Sequence, residues 1–289
     1  MAVLTLLDHR LNAFRPDLAD SRLKGRVEAE TFVAGQPRRI VVPVADVKRS
    51  PDAGSGLDTQ LILGDDVHVF EEKDGWSWLQ SDRDGYAGYV ASAAVGKRAG
   101  VFTHVVSVPR TFVYPRPDLR QPRSRALSMG SQVAVVGLAE TRNTVYALTG
   151  DGEAIVSSHL LEIGECAADY VAVAETLIHT PYLWGGASGF GIDCSGLVQL
   201  SMRMCGLSVL RDTDMQSRSI GAPQLAGPNL TGLQRGDLVF WKGHVAIMTD
   251  PANMIHASGH TMLVSHEPLR DAVARIEPFY GLPTGFRRP

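Results

Sequence analysis

The stretch Pro181–Leu200, PYLWGGASGFGIDCSGLVQL, decides how the second half of the chain is read. Glycine is dense up to Gly191, then come Asp193-Cys194-Ser195-Gly196 and an apolar-periodic run. Leu197, Leu200 and Met204 recur at helical spacing, and Val198 and Cys205 widen the stripe. Asp193 stands where an N-cap belongs and Gly206 where a helix stops. The pattern predicts a glycine-rich loop that delivers Cys194 to the first turn of a buried helix. A thiol there feels the positive end of the helix dipole, so its pKa is expected to fall and thiolate to form near neutral pH. Cys194 is therefore a candidate nucleophile, whereas a lone cysteine is more often a small buried hydrophobe.

A cysteine nucleophile wants an imidazole within hydrogen-bond reach, and that imidazole wants a polar group to hold its tautomer. Two histidines qualify downstream. His244 lies in an alternating run, Gly243–Thr249, and His256 in the returning run Met254–Ser258. Asp250-Pro251-Ala252-Asn253 between them is a hairpin signal. If the register sets His256 opposite Ala246 or Met248, both rings share a face; a slip of one residue separates them. Taken as a metal site, Cys194, His244 and His256 lack the closely spaced ligand pairs that zinc usually shows, so neither metal nor cofactor is expected.

Bulk properties narrow the class. The 289 residues suffice for two or three domains, and 44% hydrophobic with 20% charged residues suits a globular protein. A net charge of -3 speaks against a nucleic-acid partner. Three cysteines, Cys166, Cys194 and Cys205, form no disulfide framework. The apolar run Ala2–Leu7 is short, follows no basic residue and ends at Asp8, so neither a secretory signal nor a membrane span is expected, and the reading is cytoplasmic.

The N-terminal half carries an internal repeat. Val41-Val42-Pro43-Val44 leading to Arg49-Ser50-Pro51-Asp52 returns as Val105-Val106-Ser107-Val108 leading to Arg116-Pro117-Asp118. Gly64 matches Gly130, Asp84-Gly85 matches Asp151-Gly152, and Val90-Ala91-Ser92 matches Val156-Ser157-Ser158. Short alternating runs broken by Gly, Asp and Pro predict small antiparallel barrels. Of Trp76 and Trp78, at least one is expected to pack inside the barrel. The expected order is a segment 1–35 with partial helix over Leu18–Val33, barrels at 36–98 and 99–163, and an α+β domain at 164–289. In that domain a helix is expected over Ala167–His179, then helix 194–205, a loop over Val209–Leu233, and a strand meander.

Two resemblances sharpen this reading. Gly75-Trp76-Ser77-Trp78-Leu79-Gln80 with Asp84-Gly85-Tyr86-Ala87-Gly88-Tyr89-Val90 resembles the hairpin of bacterial SH3 domains. The second copy keeps the frame but lacks the aromatic Gly-Tyr element, and is the degenerate one. Tyr182-Leu183-Trp184-Gly185-Gly186, Asp193-Cys194-Ser195-Gly196-Leu197-Val198, Arg235-Gly236-Asp237-Leu238-Val239-Phe240, Gly243-His244-Val245-Ala246-Ile247 and Ile255-His256-Ala257 occur in that order. Over about residues 165–289 this resembles the NlpC-type (p60-like) cysteine peptidases. The likeness implies a papain-like α+β fold, with Cys194 as nucleophile, His244 as base and His256 as third polar residue.

With two SH3 domains ahead, the chain is similar to the γ-D-glutamyl-L-diamino-acid endopeptidases of murein recycling. That subgroup implies a substrate pocket of Tyr182, Asp193 and Ser195, with Asp212-Thr213 standing for an Asp-Ser pair. It also implies an acid and a tyrosine of the first SH3 domain that bind a free L-Ala amine. Asp65 or Asp58, and Tyr86, are the candidates, and the SH3 domain is expected to close the non-primed end of the groove. The implied substrate is a murein peptide, L-Ala-γ-D-Glu-diamino acid. Competing readings are a non-catalytic wall-peptide or glycan binder and a secreted murein hydrolase.

Overall fold

The structure, a computed structural model, describes residues 7–227 and 230–289; the N-terminal apolar run lies outside these except for Leu7. The chain divides into two compact units. One comprises residues up to His104, Phe112–Leu127 and Ser131–Ser157; the other comprises Val105–Thr111, Ser128–Gly130 and Ser158–Pro289.

The first unit is almost all strand. Its larger sheet has seven strands in the order 57–62, 44–48, 87–91, 76–81, 66–73, 36–40, 95–97. Ile40, Val47, Leu61, Val67, Leu79 and Val90 fill its interior. The strands 66–73 and 76–81 join through Asp74-Gly75, both at positive φ (50° and 82°), as a two-residue hairpin turn requires. Trp76 pairs with Ala91 and Trp78 with Tyr89, so the aromatic hairpin forms in the expected place. Trp78 is buried against Phe70, with the Arg15 guanidinium 4.3 Å above its ring. A second sheet runs 125–128, 110–114, 154–156, 144–149, 135–141.

One expectation fails here. Leu18–Val33 is not helical: Leu18–Asp20 pairs in parallel with Thr31–Val33, and only one 3-10 turn, Ser21–Leu23, lies between. The Asp20 carboxylate accepts the Arg22 N–H, capping that turn, and Gly25 at φ 80° leads the chain out of it. The linear boundary at 163/164 differs from the compact division. Met129 is 1% exposed within the core of the second unit, the Ser128 hydroxyl accepts the Gly189 N–H at 2.9 Å, and the Gly130 carbonyl accepts from Arg203. Those contacts draw Ser128–Gly130 out of the second sequence copy.

The second unit is built on a six-stranded antiparallel sheet in the order 222–224, 285–288, 238–241, 244–248, 253–258, 263–268. Its helices are α1 (Tyr170–Thr176), α2 (Cys194–Met204), α3 (Thr213–Ser219) and α4 (Leu269–Tyr280). Helix α1 is shorter than Ala167–His179, because the Asp169 carboxylate caps it at Val171 and the chain turns out at Leu177. Helices α3 and α4 were not expected. Val245, Ile247, Ile255 and Ala257 pack with α2, while Ala246, Met248 and Met254 pack with Leu269, Ala272 and Ile276 of α4. The alternation of the strands thus separates an α2 face from an α4 face.

Candidate active site

Helix α2 starts where the motif places it. The Asp193 carboxylate accepts the Gly196 N–H at 2.7 Å, and Gly206 at φ 76° follows the last turn. The glycines permit close approach: a Cβ on Gly196 would lie 2.3 Å from the Gly186 carbonyl oxygen. Cys194 is therefore presented on a tightly packed loop–helix corner, 6% exposed.

Beneath it sits a buried cation. Arg211, 1% exposed, donates from Nη2 to Asp193 Oδ2 at 2.7 Å and from Nη1 to Oδ1 at 2.9 Å. It also donates to the Ser195 hydroxyl at 2.7 Å and to the Gly186 carbonyl at 3.2 Å. The Gly185 N–H completes the Asp193 shell at 3.0 Å. Asp193 and Ser195, expected to line the substrate pocket, belong to this clamp at 9% and 5% exposure. Arg211 had no assigned role; nothing in its own stretch signals that it folds under Cys194.

The hairpin register brings the histidines together. Ile247 pairs with Ile255 and Met248 with Met254, which sets His256 opposite Ala246. His244 Nε2 lies 2.9 Å from His256 Nδ1, the two rings edge to face. His256 is 1% exposed, and its Nε2 lies 3.3 Å from Glu267 Oε2 but outside good hydrogen-bond geometry. Arg275 in turn holds Glu267 through both oxygens, at 3.0 and 2.5 Å. Neither Glu267 nor Arg275 was singled out from the sequence.

Cys194 packs in the same cluster as Val245, the residue after His244. Its sulfur lies 4.0 Å from the Thr213 hydroxyl and makes no hydrogen bond to His244. Burial pushes the thiol up to about 11, the Asp193 charge adds to this, and the Val245 N–H, Thr213 and Arg211 pull the other way. That reverses the expected lowering, because loss of water around the sulfur outweighs the dipole of α2. Burial drives the His244 imidazole down to about 3, helped by His256 and Arg275 and opposed by Glu267. Burial, then the nearby Cys194 and Asp193 charges, raise the Tyr182 hydroxyl. Thiol and imidazole are thus both neutral at rest.

A cavity of about 500 Å³ opens beside the histidines, with Tyr182, Trp184, Lys242, Arg275, Phe279 and Tyr280 in its wall. Trp184 and Phe279 are 72% and 79% exposed. Asp212 and Thr213 are half-buried at the start of α3. The SH3 candidates fare differently. Asp65 is 3% exposed, accepts the Ile62 N–H at 2.9 Å and pairs with Arg83; Tyr86 is 5% exposed. Both are buried, and the Tyr86 N–H is accepted by Asp84 at 3.1 Å. Asp58 is half-buried and pairs with Arg49 at 3.1 Å.

The NlpC/P60 family model matches residues 179–275, a span that holds Cys194, His244, His256 and Glu267. The chain carries an NlpC/P60 domain and is a cysteine peptidase. A second model, described as the bacterial dipeptidyl-peptidase SH3 domain, matches residues 47–95. Dipeptidyl-peptidase 6 of Lysinibacillus sphaericus is 26% identical over 239 residues, 76% of this chain and 86% of the relative. The γ-D-glutamyl-L-lysine dipeptidyl-peptidase of Bacillus cereus is 26% identical over 255 residues, 78% and 74% of the two chains. The crystal structure of an NlpC/P60 family protein from Bacillus cereus matches 88% of this chain and 99% of its own, with a TM-score of 0.70 at 23% identity, and so shares the fold. The chain thus has an SH3-like domain followed by an NlpC/P60 domain, mostly sheet with few helices.

Proposed function

We propose that this NlpC/P60 peptidase hydrolyses the γ-D-Glu–diamino acid bond of murein peptides that carry a free N-terminal L-Ala. Cys194 acts as nucleophile, His244 as base and His256 as its orienting partner. The observation that carries the assignment is the His244–His256 pair at 2.9 Å on adjacent strands, with Val245, next to His244, in one core cluster with Cys194. As Cys194 Sγ bonds to the γ-carbonyl carbon of D-Glu, its proton passes to His244 and then to the departing amine of the diamino acid. Water, giving its proton to the same imidazole, hydrolyses the thioester. Tyr182, Thr213 and Asp212 are the expected substrate contacts among residues that keep some exposure. A relative named for γ-D-glutamyl-L-lysine cleavage supports the bond class.

The finer reading is of two SH3 domains, the second degenerate, ahead of a papain-like peptidase domain. Its setting is cytoplasmic recycling of murein fragments, where a free amine marks the substrate. Asp65 or Asp58, with Tyr86, are the candidates for holding that amine. The test is hydrolysis of L-Ala-γ-D-Glu-diaminopimelate against its N-acetylated form. Turnover of the free peptide alone supports the reading. Equal rates on both refute the free-amine requirement, and no turnover of either refutes the substrate class.

A further inference from the structure

Glu267 and Arg275 continue the line of contacts that begins at His244. We propose that Glu267, aimed by Arg275, is a positioning residue that fixes His256 in the tautomer protonated on Nε2 and thereby leaves His244 Nδ1 free to accept a proton. The inference rests on the roles given to Cys194, His244 and His256 above.

Across the 2.9 Å between His244 Nε2 and His256 Nδ1 there is room for one proton. With His256 protonated on Nε2, its Nδ1 accepts, His244 donates from Nε2, and His244 Nδ1 carries a lone pair. With His256 protonated on Nδ1, His244 Nε2 must accept. A neutral His244 then bears its proton on Nδ1 and is no base on that side. The neighbour of His256 Nε2 decides between the two. That neighbour is Glu267 Oε2 at 3.3 Å, on the adjacent strand, where Met254 pairs with Glu267 and His256 with Ser265. A carboxylate can only accept, so it selects the Nε2 proton. Since His256 is 1% exposed, water is a poor substitute.

Arg275 makes the acceptor dependable. Its two-point grip on Glu267, 3.0 and 2.5 Å, fixes the carboxylate plane. Burial pushes the Glu267 carboxyl up, but His256 and Arg275 outweigh it and hold it at about 2. The titratable and charged groups around His256 come from three elements: His244 on 244–248, Glu267 on 263–268 and Arg275 on α4. Lys242 and His260 line the same cavity.

The test uses the full chain and two readouts: nitrogen-15 NMR of labelled histidines, and kinetics on L-Ala-γ-D-Glu-diaminopimelate. The wild-type His256 signals should be those of the Nε2–H tautomer. In Glu267→Gln the amide oxygen takes the Arg275 donors and the NH2 turns to His256. The tautomer should flip, and kcat should fall about 100-fold with KM within about threefold. Glu267→Asp restores the acceptor and should recover at least about tenfold of that loss. A wild-type Nδ1–H tautomer, or a Gln variant with kcat within about threefold of wild type, overturns the proposal. The tautomer is read without turnover, so an inactive enzyme on this peptide counts against the substrate reading, not against this one.

Discussion

Replacing Arg211 by Met probes the clamp under the nucleophile. Methionine roughly fills the space of the aliphatic stem but carries no charge. Two charge-assisted bonds to Asp193 are lost, with those to Ser195 and Gly186. Asp193 keeps the Gly196 and Gly185 N–H groups, but its charge stays buried without its cation. Removing one partner of such a pair costs about 3–5 kcal/mol. Against a total stability of roughly 5–15 kcal/mol, Arg211→Met should fold but be strongly weakened. Adding Asp193→Asn removes the stranded charge and retains a capping oxygen. The double variant should therefore be more stable than Arg211→Met alone, by about 1–3 kcal/mol. Urea unfolding of wild type, both single variants and the double, followed by tryptophan fluorescence, gives the coupling energy. A loss below about 1 kcal/mol for Arg211→Met, or simple additivity in the double, refutes the clamp.

Two further outcomes follow from the same corner. Cys194→Ala should abolish hydrolysis with the fold intact by circular dichroism, while Cys166→Ala and Cys205→Ala, at an exposed and a half-buried cysteine, keep most activity. Gly196→Ala should lower stability by about 2 kcal/mol or more in thermal unfolding, because its Cβ meets the Gly186 carbonyl at 2.3 Å, a backbone atom that cannot swing away.

The start of α2 was legible because its signals are local: a capping acid, a stop glycine and a helical apolar period lie within one stretch. The histidine pair was legible only conditionally, since alternation fixes which residues share a face but not the register between strands. The observed Ile247–Ile255 pairing satisfied the condition. Arg211 was hidden because its partner lies 18 residues away and no periodicity marks it. Arg275 was hidden with α4, which carries Pro278 near its end and a mostly polar face, and Glu267 lies on the strand 263–268 just ahead of it.

The N-terminal position of Cys194 argued for a thiolate, and its surroundings argue against one. A helix terminus contributes about 0.3–1 kcal/mol at an exposed site. Here burial and the capping Asp193 carry the thiol up to about 11, while burial, His256 and Arg275 carry the His244 imidazole down to about 3. Across the neutral range the free enzyme holds two uncharged partners, and the proton should leave sulfur only as the substrate carbonyl is attacked. Alkylation of Cys194 by iodoacetamide, followed by mass spectrometry, should then keep rising with pH beyond 9, while peptide turnover proceeds at pH 7. Stability gives a second readout. The His244 pKa is lower in the folded chain than its ordinary 6.5, so the unfolded chain binds the proton first. Stability is lost as pH falls from about 6.5 towards 3, and His244→Asn should remove that share of the loss. An alkylation rate that reaches a plateau below pH 7 marks a preformed thiolate–imidazolium pair and refutes the neutral one.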